Sequence, residues 1–291
     1  MINIRKFWFE NANGDKYELN NYNAKIFLYQ PQGLGFIKQL NITRLGNEGD
    51  ILSNVADFPV PTGELLFYNK SLTSKYEEYA NFIQFAKIKP LKFYQQTPNT
   101  FESWYIDCEI VSLEKSEVDY RDNTLHVPIQ IQGLSFWKTA EEHDLVVEDI
   151  EQGGKVYPYT YPYTYEGNSY GRIAVNNNGT LDTGFKFEIN DLITNPVLSL
   201  FQNDVKYGEI RINGTYDVIK VDTRDKQHSI YLEYQGSAIA NPTSKFDLTG
   251  NGQYAMPFPK LKVGNNILAF AFGGIFTKAV HIKWQDVALT I

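Results

Sequence analysis

Cysteine is almost absent from this chain of 291 residues, which has only Cys108. One thiol forms no intrachain disulfide, and its alternating neighbours Trp104, Ile106 and Ile110 place it on the apolar side of a strand as a buried, inert group. Histidine is scarce too. Neither His126, His143, His228 nor His281 lies within four residues of a second His or a Cys, so no zinc spacing exists. There is no Gly-x-Ser-x-Gly elbow, and Gly33-Leu34-Gly35 lacks the lysine and the longer glycine spacing of a phosphate loop. No cofactor is implied. No run of Lys or Arg occurs and the formal charge is -7, which argues against a surface that binds nucleic-acid phosphates. No stretch approaches the ~18 apolar residues of a membrane helix, and the first ten residues are too short an apolar run for a signal sequence, so the expectation is a soluble protein made in a cytoplasm. Without secretion, the acceptor-like triplets at Asn41, Asn69, Asn178 and Asn213 read as turns.

Aromatic residues are plentiful, with 20 Tyr and 19 Phe, and their interleaving with β-branched residues is that of packed strands. The expected fold class is mainly β. The densest aromatic run is a repeated Tyr-Pro-Tyr-Thr at 157–164 followed by Tyr165. Its prolines forbid a helix interior, and a period of two puts the tyrosines mainly on one side. That strip reads either as a segment packed on its own domain or as a ring ladder in which Tyr159, Tyr161 and Tyr163 contact a glycan or a protein. The length implies two domains, with the tyrosine tract as divider: 1–140, a linker over 141–165, and 166–291.

Residues 4–10 and 16–19 predict a hairpin around Asn13-Gly14-Asp15, followed by strands at 24–30, 37–43 and 64–68, with a loop over 46–61. Apolar residues at Leu72, Tyr76, Tyr79, Phe82, Ile83 and Ala86 recur at helical steps, and Ser74 with Glu77 has capping-box spacing. Runs at 91–95, 104–113 and 125–134 predict an antiparallel meander. The stretch 138–152 reads as a short helix or as an extended linker. Beyond it, runs at 184–189, 197–201, 208–212, 217–221, 229–234, 244–247, 260–263, 266–272 and 279–284 describe a β-sandwich.

The carboxylates give little chemistry. Asp107 and Glu109 share one strand face, whereas a glycosidase pair faces across a cleft. Asp217, Asp222 and Asp225 lack the calcium-loop pattern. No enzyme is expected. Leu34 and Phe36, on a glycine-flanked loop, are the expected subunit-interface residues.

Taken in order, Phe7 to Phe9 with Gly14 and Tyr17-Glu18-Leu19, Gly33-Leu34-Gly35-Phe36, Gly63-Glu64-Leu65-Leu66-Phe67, the helix around 76–85, Leu113-Glu114-Lys115, Leu125 and Gly133-Leu134-Ser135-Phe136-Trp137 resemble the distal tail protein family of long-tailed, non-contractile bacteriophages. The tyrosine tract and Asn195-Pro196 extend the likeness along the chain. The resemblance implies an N-terminal belt domain of strands with one helix, a C-terminal galectin-like or carbohydrate-module-like antiparallel β-sandwich, and a hexameric ring at the virion's tail tip. Its partners would be copies of itself, the tail tube protein, a tail-associated spike or lysin protein and a receptor-binding protein. DNA would pass through the channel without specific binding, and no membrane insertion is implied. A carbohydrate-binding module for host cell-wall polysaccharide is the alternative reading.

Overall fold

The computed structural model describes residues 5–20, 25–45, 48–68, 72–98, 102–119, 121–147, 151–153, 168–247, 258–273 and 279–291. The chain divides into two compact units, Met1–Glu141 with Val287–Ile291, and Glu142–Asp286.

The first unit opens with β1 (Lys6–Glu10) and β2 (Lys16–Glu18), paired antiparallel. Gly14 supplies the left-handed residue of the turn at φ +80, and Asn11 Oδ1 accepts from the Asn13 and Asp15 amides at 3.0 and 3.1 Å. Then follow β3 (Ile26–Gln32), β4 (Ile37–Leu45), β5 (Glu48–Asp57), β6 (Thr62–Phe67), α1 (Leu72–Ala86), β7 (Leu91–Gln96), β8 (Ser103–Leu113), β9 (Val118–Asp119), β10 (Thr124–Gly133) and β11 (Trp137–Thr139). The main sheet runs β2-β1-β7-β8-β10-β6-β3. Its β7-β8-β10 portion is the meander read from the sequence.

The expected loop over 46–61 is corrected. Residues 48–57 are a strand, paired with β4 from Ile37↔Asp57 to Leu45↔Glu48 in a two-stranded sheet of its own. The expected capping box is displaced as well, since α1 begins at Leu72 and both Ser74 and Glu77 lie inside it. Three members of the helical stripe, Tyr76, Tyr79 and Phe82, face the core as the spacing predicts. Phe82 is fully buried and Tyr76, Tyr79 and Phe85 pack partly buried against the core of Phe9, Phe67, Phe93, Ile106 and Trp137. Full burial of the Phe82 ring contributes about 1.5–3 kcal/mol. Two polar ties reinforce the helix. Tyr17 donates its hydroxyl to Glu78, and the buried Lys75 ammonium donates to Asn123 Oδ1 at 2.6 Å.

The second unit contains β12 (His143–Val147), β13 (Glu151–Gly153), β14 (Asn168–Asn177), β15 (Phe185–Ile189), β16 (Ile193–Gln202), β17 (Val205–Ile212), β18 (Thr215–Tyr216), β19 (Val218–Asp222), β20 (Ser229–Tyr234), β21 (Ser237–Ala238), β22 (Phe246–Asp247), β23 (Gly264–Gly273) and β24 (Val280–Trp284). One sheet runs β12-β24-β15-β19-β20-β21, the other β13-β14-β23-β16-β17-β22 with β18 beside β16. Alternate residues of both, among them Phe187, Val221 and Ile282 from the first and Leu200, Ile210 and Phe270 from the second, fill one core. That is an antiparallel β-sandwich.

Two boundaries differ from the sequence reading. Residues 143–147 are a strand of the second unit paired with β24, so the described residues of 138–152 do not form the short helix that is one of the two expectations. β13 and β14, which precede and follow the tyrosine tract in sequence, pair with each other from Glu151↔Tyr170 to Gly153↔Asn168 and both belong to the second unit; the tract itself lies outside the described residues. After β24 the chain returns to the first unit as β25 (Val287–Ala288), antiparallel to β11 with Trp137 opposite Ala288.

Candidate interaction surface

Three loops of the first unit meet where β4 and β5 begin and end. Gly33, at φ +67, lies so close to Val60 that an added Cβ would stand 2.1 Å from its carbonyl oxygen. Gly133 approaches Pro59 in the same way, at 2.5 Å, and its amide donates to the Pro59 carbonyl at 2.9 Å. Ile131 donates to the Pro61 carbonyl at 2.8 Å, and the fully buried Trp137 donates its indole N–H to the Leu34 carbonyl at 3.0 Å. Only glycine allows the first approach, because the backbone is left-handed and the space is filled by a carbonyl.

On this support sits a cluster of exposed apolar side chains: Phe36 at 39%, Ile37 at 59%, Phe58 at 40% and Leu134 at 39%. Phe58 packs edge-on against Phe136 with centroids 4.9 Å apart, and the Lys38 ammonium lies 5.5 Å from the Phe36 ring. Of the two interface residues taken from the sequence, Phe36 lies in this exposed cluster. Leu34 is instead partly buried against the first core. Ile37, Phe58 and Leu134 escaped the sequence reading because each belongs to a different segment, and only the loop crossing at Gly33 and Gly133 brings them together. Tyr159, Tyr161 and Tyr163 lie outside the described residues.

The carboxylates weighed from the sequence are engaged in structural pairs. Asp107 holds Lys138 at 2.9 Å and Glu109 pairs with Lys89. Asp222 binds the Arg224 guanidinium at 2.6 Å, Asp225 binds Lys260 at 2.8 Å, and Asp217 accepts from the Gln235 amide. The three aspartates therefore face different partners. Among the described residues no group of three His, Cys, Asp or Glu side chains could hold a metal ion. Burial pushes the Cys108 thiol up to about 12, which keeps it protonated and unreactive at neutral pH. His126 sits between two carboxylates, with Nε2 2.9 Å from Asp122 and Nδ1 3.3 Å from Glu64. The hydrogen bond to Asp122 raises its pKa most, opposed by desolvation and aided by Glu64. Among the described residues no helix is long and apolar enough to cross a membrane.

The family described as distal tail protein, N-terminal domain, matches residues 6–134. No curated protein matches the chain. Among solved structures, the chain is similar to a component of the phage P2 baseplate in its activated conformation with calcium, with 18% identity and a TM-score of 0.56 over 99% of this chain and 100% of that one. It is also similar to the Dit protein of phage SPP1, described as a paradigm of the hub adsorption apparatus in phages infecting Gram-positive bacteria. There the identity is 10% and the TM-score 0.60 over 96% and 98% of the two chains. At these identities the structures speak for the fold alone, and the family match speaks for residues 6–134, which are similar to the N-terminal domain of distal tail proteins.

Proposed function

We propose that this chain is a distal tail protein that closes into a hexameric ring at the end of a phage tail, joining the tail tube to the tail-tip apparatus that meets the host. The observation that carries this reading is the β4–β5 ribbon, which pairs only with itself among the described residues, standing on a root of exposed Phe36, Ile37, Phe58 and Leu134. A two-stranded ribbon is marginal in water by itself, and an exposed apolar cluster of this kind marks a contact surface. A head-to-tail contact repeated around an axis yields a ring when the rotation closes. Phe36 makes the contact and Leu34 holds the loop from beneath. The work is done by interfaces with copies, tube protein, a tail-associated protein and a receptor-binding protein, with no catalysed reaction. The protein resides in the virion, and DNA passes the acidic chain unbound.

Native mass spectrometry of the purified protein, alone and with its tube and tail-tip neighbours, tests the ring. Sixfold mass is expected. A monomer under every condition removes the reading.

A further inference from the structure

The first unit leaves a stretch of sheet border open. β8 extends to Leu113, but β7 ends opposite Cys108, where Leu91 is the last pair. On the opposite side β10 accompanies β8 as far as Leu113. Residues 109–113 thus have a partner strand on one side only among the described residues. Their other side opens on a groove of about 430 Å³, lined by Tyr79, Ile83 and Ala86 of α1, by Lys87, and by Ile110 and Val111. The β8–β10 register shifts here, so Val111 has no partner in β10 and is 61% exposed. Five residues of strand span about 16 Å, enough for a short intermolecular ladder. An unpaired border beside an apolar floor is how proteins take up an extended segment as an added strand.

The same chain offers such a segment. β5 pairs with β4 on one side and with no described strand on the other. Its sequence, Glu48-Gly49-Asp50-Ile51-Leu52-Ser53-Asn54-Val55-Ala56-Asp57, has three carboxylates, no cation, and apolar residues between them. Lys87 lines the groove and is exposed, while Lys89, also in the lining, is held by Glu109. The chemistries are complementary. We infer that β5 of a second copy adds as a strand to residues 109–113 of β8, its apolar stretch over Ile83 and Val111 and a carboxylate at Lys87. This inference rests on the ring reading and names the contact that closes it.

Full-length protein carrying Val111→Cys and Leu52→Cys, oxidised after assembly, tests the pairing; Cys108 is buried and stays out of the reaction. A covalent ladder of subunits is expected, with none when Val205→Cys, exposed in the second unit, replaces Val111→Cys. Val111→Asp, with unchanged circular dichroism, should raise the concentration for half-assembly about tenfold or more, since tenfold needs only the loss of one modest contact. Rings that form without the cross-link overturn this pairing and leave the ring reading standing. A cross-link from Val111→Cys to a tube or tail-tip protein assigns the groove to that partner and also overturns it. Absence of any assembly, tail partners included, removes both.

Discussion

Gly14 and Gly33 both have left-handed backbones, at φ +80 and +67, but only one of them is crowded. A Cβ at Gly14 meets nothing within 4 Å, whereas at Gly33 it would stand 2.1 Å from the Val60 oxygen and 2.9 Å from its carbonyl carbon. Gly14→Ala therefore measures the backbone alone, about 1–2 kcal/mol. Gly33→Ala adds a clash with main chain that no rotamer relieves, and overpacking of that kind costs about a further 1–3 kcal/mol. The displaced Val60–Pro61 segment also carries the Ile131 hydrogen bond to the Pro61 carbonyl. Urea unfolding followed by tryptophan fluorescence reports mainly on the first unit, because Trp8, Trp104 and Trp137 belong to it and only Trp284 to the second. With slopes of roughly 1–3 kcal/mol per M, Gly33→Ala should lower the midpoint by about 1 M or more and Gly14→Ala by about half that. Midpoints that fall equally would show that the crowding at Val60 carries no energy, and with it the argument that this crossing fixes the apolar root.

Phe36→Ser with Phe58→Ser should abolish the ring while leaving circular dichroism and the midpoint of the second unit unchanged; intact rings would show that the exposed cluster is idle. Leu200→Ala, in the fully buried core of the sandwich, should destabilise the second unit by about 2–5 kcal/mol in calorimetry. The Cys108 thiol should resist a disulfide reagent at pH 8 in the native protein and react fully in urea, and rapid native labelling would contradict its burial. Because the folded-state pKa of His126 is raised, its stabilising contribution is complete below about pH 6.5 and disappears as pH rises through the folded value. The stability gap between the native chain and His126→Gln should shrink with rising pH, and a gap that grows would refute the two-carboxylate clamp.

The meander and the helix were legible because their signals are local. The fully buried Phe82 and its partly buried neighbours recur every three or four residues, and β10 alternates Val127, Ile129, Ile131 inward along one strand. β5 was hidden by its polar content, Gly49, Ser53 and Asn54, and by a register shift opposite Asn41/Ile42 that breaks the period of two. β14 was missed for a related reason: its apolar run, Ile173-Ala174-Val175, is only three residues long between Gly171-Arg172 and the asparagines at 176 and 177, and its long pairing with β23 lies some ninety positions away. The strand at 143–147 owes its existence to β24, more than 130 positions later, a pairing no local window contains. The interaction surface was half legible. Phe36 is conspicuous beside two glycines, yet the positions that surround it depend on how separate loops cross.

The pairing of Trp137 with Ala288 sets the two crossings between the units on neighbouring strands, which lie about 5 Å apart. Topologically the sandwich is a guest spliced into a host, entering and leaving through one doorway. A host stitched shut across that doorway can accept another guest, provided the newcomer's two ends also lie side by side. Exchange of the whole sandwich for an unrelated module with adjacent termini is therefore open to this lineage without redrawing the host sheet, whereas a module whose ends sit at opposite poles would tear β25 from β11.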